Sequence, residues 1–66
     1  MINMNEPIVY TEIYENTIMN MKLFRDEDKL SEFIHSEFDD SDAKKLLDTE
    51  RLYIDNWCYS IDYPEY

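Results

Sequence analysis

Sixty-six residues that include ten aromatics and 44% hydrophobic side chains make one small folded domain, not a disordered acidic chain, and they leave room only for a small core. Sixteen Asp and Glu against six Lys and Arg set the net charge at −10, which excludes direct binding to nucleic acid or to an anionic membrane. The single cysteine, Cys58, excludes an internal disulfide, and the lack of a basic-then-apolar leader or a membrane-length apolar run predicts a cytoplasmic protein.

Residues 1–6 read as a polar lead-in, after which Pro7 to Phe24 reads as two strands, PIVYTEIY and TIMNMKLF, rich in β-branched and aromatic residues. A two-residue loop at Glu15-Asn16 would mix greasy and polar residues on both faces. A three-residue loop, Glu15-Asn16-Thr17, pairs Ile13 with Met19 and Val9 with Leu23 on one face. It leaves Tyr10, Glu12, Asn20 and Lys22 together on the other, and that register is the one predicted. It needs one residue at positive φ, and in a chain without glycine Asn16 is the least strained choice.

Asp26–Phe38, DEDKLSEFIHSEF, places Leu30, Phe33, Ile34 and Phe38 along one stripe, which predicts an amphipathic helix. Asp26 is its expected N-cap, and Glu27 and Asp28 suit the positive end of the helix dipole. In DDSDAKKLLDTE, Asp40 or Ser41 can cap a second helix of about two turns whose apolar residues are Ala43, Leu46 and Leu47. Arg51–Tyr63 alternates again around Asp55-Asn56, as a second hairpin or as one continuous strand, and residues 64–66 form a tail. The order predicts a small α+β domain in which an antiparallel sheet packs one face on the helix stripe, with Phe33 central to the core.

No residue pattern names a reaction. His35 is the only histidine, and Ser31, one turn away, is an ordinary polar neighbour on a solvated helix face. Cys58, between Trp57 and Tyr59, reads as a small buried hydrophobe with no cation near it in sequence to activate it. From Asp40 a calcium loop starts correctly with D-x-D. It then places Lys44 and Lys45 where an oxygen ligand and a glycine are needed, and Arg51 where the closing Glu belongs. One Cys and one His do not make a zinc site, and no glycine-rich phosphate loop exists. The expectation is a protein without enzymatic activity, cofactor or metal.

What remains is acid and tyrosine. A 66-residue globule is about 28 Å across, and duplex DNA of that length carries about 16 phosphates, matching the sixteen carboxylates in number. The expected partner-binding residues are Asp28, Glu32, Glu37, Asp39, Asp40 and Asp42, a stripe running along the first helix and past its end. Six tyrosines exceed what so small a core hides, so Tyr10 and Tyr59 are expected on a secondary binding face of the sheet.

In size, charge and aromatic content the chain resembles the small acidic anti-restriction, anti-CRISPR and glycosylase-inhibitor proteins of bacterial viruses and mobile elements, which imitate DNA. The resemblance implies an inhibitor of a basic nucleic-acid-binding protein. The alternative expectation is an interaction module, such as an antitoxin, adaptor or small regulatory subunit, binding through a tyrosine-rich sheet face. Self-association into a homodimer is compatible with either.

Overall fold

The computed structural model describes residues 7–64, so the expected lead-in and the last two residues of the tail lie outside the described residues. The strands are β1 (Ile8–Tyr14), β2 (Thr17–Phe24), β3 (Arg51–Ile54) and β4 (Trp57–Asp62), and the helices are α1 (Glu27–Glu37) and α2 (Asp40–Thr49). All strand pairs are antiparallel in the order β2-β1-β4-β3, which brings the two hairpins together through their first and last strands. Both hairpin turns lie at the same end of the sheet, where the Glu15 amide donates to the Asn56 carbonyl at 3.2 Å. The α+β expectation holds, and the C-terminal segment is a hairpin.

The first hairpin satisfies both registers by means of a β-bulge. Val9 faces Leu23, Tyr10 faces Lys22 and Glu12 faces Asn20, as the three-residue loop requires. Nearer the turn, Ile13 faces Ile18 and Tyr14 faces Thr17, so the loop is Glu15-Asn16 alone and Met19 is the extra residue. Both loop residues take positive φ, 47° at Glu15 and 69° at Asn16, as a tight right-twisted hairpin demands. The expected pairing of Ile13 with Met19 is thus corrected, because the bulge absorbs one residue.

Asp26 caps α1 as expected, its carboxylate accepting from the Lys29 amide at 2.8 Å. The cap of α2 is Asp39, one residue before the expected position: Phe38 ends α1, and the extended Asp39 turns its carboxylate onto the Asp42 amide at 2.8 Å. The second helix is ten residues long, longer than expected, because Ala43 and Leu46 are fully buried and anchor it. It ends at Glu50 in the left-handed region, φ 66°, a conformation that costs a side-chain-bearing residue about 1–2 kcal/mol. Glu50→Gly therefore raises the melting temperature by a few degrees, removing strain and one carboxylate together. A thermal scan of the variant measures this, and an unchanged or lower midpoint would show that the cap carries no strain.

The helices cover one face of the sheet. The core is Ile8, Tyr10, Leu30, Ile34, Ala43, Leu46, Leu52 and Ile61. Phe33, expected at its centre, is half-buried at its margin, edge-on to Tyr10 at 5.0 Å and capped by the Lys22 ammonium at 5.0 Å from its ring. The covered face carries Tyr10, Lys22, Glu12 and Asn20, and the greasier face of the first hairpin points away from the helices. On that outer face stand Ile18, Met21 and Leu23, with exposures of 59%, 52% and 61%.

Candidate partner-binding surface

The helical layer concentrates the acid. Between residues 26 and 50 lie Asp26, Glu27, Asp28, Glu32, Glu37, Asp39, Asp40, Asp42, Asp48 and Glu50, against only Lys29, Lys44 and Lys45. All ten are exposed except Asp42, which is half-buried. The sheet side is less acidic: its strands and turns carry Glu12, Glu15, Asp55 and Asp62 against Lys22 and Arg51, the last paired with Asp62 at 3.6 Å. Acid is therefore densest on the helical layer, because the buried faces of α1 and α2 take the apolar positions of residues 26–50 inward.

The expected binding residues separate into groups. Asp28 and Glu32 stand one turn apart on the side of α1 away from buried Leu30 and Ile34. Glu32 lies 3.9 Å from Lys29 in an exposed pair, which screens it in part. Asp39, Asp40 and Asp42 gather at the corner into α2, where Asp39 is committed to capping. Glu37 belongs elsewhere: seven residues past buried Leu30 and three past buried Ile34, it falls in phase with the sheet side of α1 and not with the Asp28–Glu32 ridge.

The tyrosine expectation is corrected. Tyr10 is wholly buried, because its ring fills the space beneath Phe33 while its hydroxyl reaches the sheet margin and donates to Glu12 Oε2 at 2.7 Å. It is not available to a partner. Tyr59 is half-buried, edge-on to Phe38 at 4.9 Å and stacked on Trp57 at 6.0 Å. Tyr14 and Tyr63 are half-buried as well, and Tyr53 alone of the described tyrosines is open, at 71%. The inward turn of Tyr10 had one sequence signal: Glu12, two residues on and therefore on the same face, offers a margin partner for a buried hydroxyl.

Burial, the hydrogen bond to Glu12 and the nearby negative charge of Glu12, Tyr59 and Glu37 push the Tyr10 hydroxyl far above its usual titration range. Burial also raises Tyr59 and Tyr63. The folded protein thus keeps phenolic protons that the unfolded chain releases near pH 10. Stability contributed by the neutral tyrosines is intact below that pH and declines as pH rises beyond it. Tyr10→Phe should flatten this alkaline decline in melting temperature, and a parallel decline in parent and variant would remove Tyr10 from the account.

His35 is exposed in the last turn of α1, and Cys58 is half-buried on the outer sheet face. Among the described residues there is no pocket, no grouping of three or more His, Cys, Asp or Glu able to hold a metal ion, and no helix long and apolar enough to cross a membrane. The described chain measures 40 × 26 × 17 Å, longer than a sphere of its size. Duplex DNA 40 Å long carries about 24 phosphates, so the match in number with sixteen carboxylates does not hold over the whole length. No family model, no curated protein and no solved structure matches this chain.

Proposed function

We propose that the protein is a non-enzymatic inhibitor that occupies the basic groove of a nucleic-acid-binding protein, with carboxylates of the helical layer standing where phosphates otherwise sit. The observation that supports this reading is the segregation of charge: ten carboxylates against three lysines on the helix side, carried by two capped helices packed on a sheet. A helix holds its carboxylates at fixed spacing, so Arg and Lys of a groove meet an ordered array whose ordering cost was met in folding. Asp28, Glu32 and Asp40 are the principal contacts, joined by Asp39 and Asp42 at the corner. The exposure of the tyrosines gives no support to the alternative of a tyrosine-rich interface, since Tyr10 is enclosed.

The test is capture of partners on immobilised protein, followed by elution in rising salt and by competition with duplex DNA or RNA. Binding through many exposed ion pairs weakens steeply as ionic strength increases. A captured partner released by moderate salt and displaced by nucleic acid supports the reading. One that survives about 1 M salt and ignores nucleic acid defeats it, because the Debye length is then only about 3 Å.

A further inference from the structure

We propose that the outer face of the sheet is where a second copy of this chain docks, sheet against sheet about a two-fold axis. Ile18, Met21 and Leu23 of β2 stand more than half exposed on this face, Val9 and Ile13 of β1 continue it, and Tyr53 of β3 closes the row Ile18–Ile13–Cys58–Tyr53. Scattered apolar residues on a surface need no explanation, but a contiguous apolar face on a strongly charged small domain does.

Charge selects the occupant. The face holds one acid and one base, Asp62 and Arg51, already paired with each other, although the chain as a whole carries −10. It offers nothing to a basic partner and does not repel another acidic molecule. A copy of the same face is neutral and carries the same apolar residues, so an isologous contact joins like to like. Stacked sheets lie about 10 Å apart, and in that arrangement both helical layers, with their carboxylates, point outward on opposite sides of the dimer. The ten carboxylates of each helical layer are thereby kept on opposite sides of the dimer.

Area sets the strength. The strands hold 7, 8, 4 and 6 residues, which at about 3.3 Å per residue and about 4.8 Å between strands gives about 400 Å² of flat sheet per copy. Side chains standing off the plane raise the accessible area above that, and a doubling would only reach the roughly 800 Å² per partner of a standard interface. The dimer is therefore weak and concentration-dependent. Its formation does not depend on the function of the carboxylates.

Sedimentation equilibrium from about 1 μM to about 1 mM reads the result directly. The expected outcome is a rise from monomer toward twice the monomer mass, with association strengthened by added salt because screening relieves repulsion between two copies of charge −10. Met21→Glu with Leu23→Glu should weaken association at least ~10-fold. Both positions are exposed, and an unchanged circular-dichroism melt at low concentration verifies that the variant folds. A parent that stays monomeric throughout, a dimer that weakens with salt, or a dimer untouched by the double substitution would each overturn the proposal.

Discussion

Leu30→Ala or Ile34→Ala removes a large part of the stability of the fold. Each side chain is fully enclosed between α1 and the sheet. Truncating a buried Leu or Ile costs about 2–5 kcal/mol through lost burial and the cavity left behind, and a domain of this size has about 5 kcal/mol in total. Phe33→Ala should cost less, since its ring is half-buried and loses mainly its contacts with Tyr10, Phe24 and the Lys22 ammonium. Urea midpoints for the three variants give the ranking. If Phe33→Ala is the most damaging, or if both aliphatic variants shift the midpoint only slightly, α1 does not seat on the sheet as described.

The second large effect concerns binding. Asp28→Asn, Glu32→Gln and Asp40→Asn combined should weaken attachment to a basic partner at least ~10-fold, about 1.4 kcal/mol. Exposed ion pairs are individually worth little, so the effect must accumulate over several residues. These positions are chosen because none is a cap, whereas Asp39 holds the start of α2 through the Asp42 amide. Relief of self-repulsion favours the variant's fold, while loss of two first-turn acids, Asp28 and Asp40, removes favourable dipole contacts. The melting temperature should consequently move little. Titration calorimetry with the captured partner reads the binding change, and a triple variant that binds as tightly as the parent would remove the helical layer from the interface.

Where the sequence was legible, one residue type had one physical role. Asp26 before an apolar stripe is a cap, and of the two readings of Asp55-Asn56, a turn or a continuous strand, the chain adopts the turn. The first hairpin was ambiguous because both its faces contain large apolar residues. Alternation fixed which side chains share a face but not which face the helices cover. That choice was decided by shape and by a hydroxyl: Tyr10 beneath Phe33 fills the interior and still reaches Glu12, an arrangement that depends on an element far along the chain. The extent of α2 was hidden for a related reason, since its few apolar residues give a weak pattern and its end at Glu50 lacks the glycine that marks such ends. Of the acidic stripe, Asp28 and Glu32 were placed correctly by helical spacing alone, whereas Glu37, at the end of the same helix, was turned to the sheet side by its phase.

The strand order also determines when the chain can fold during its own synthesis. In β2-β1-β4-β3 the interior pair is β1 with β4, one strand from each end of the described chain. At about 5–20 residues per second, several seconds separate the making of β1 from that of β4. Throughout that interval the first hairpin exists with one edge unpaired and its apolar sides uncovered, and an isolated hairpin is only marginally stable in water. Tyr10 and Ile61, which lie side by side at the centre of the core, meet only when β4 is complete. The strand order therefore delays completion of the core until β4 pairs with both β1 and β3.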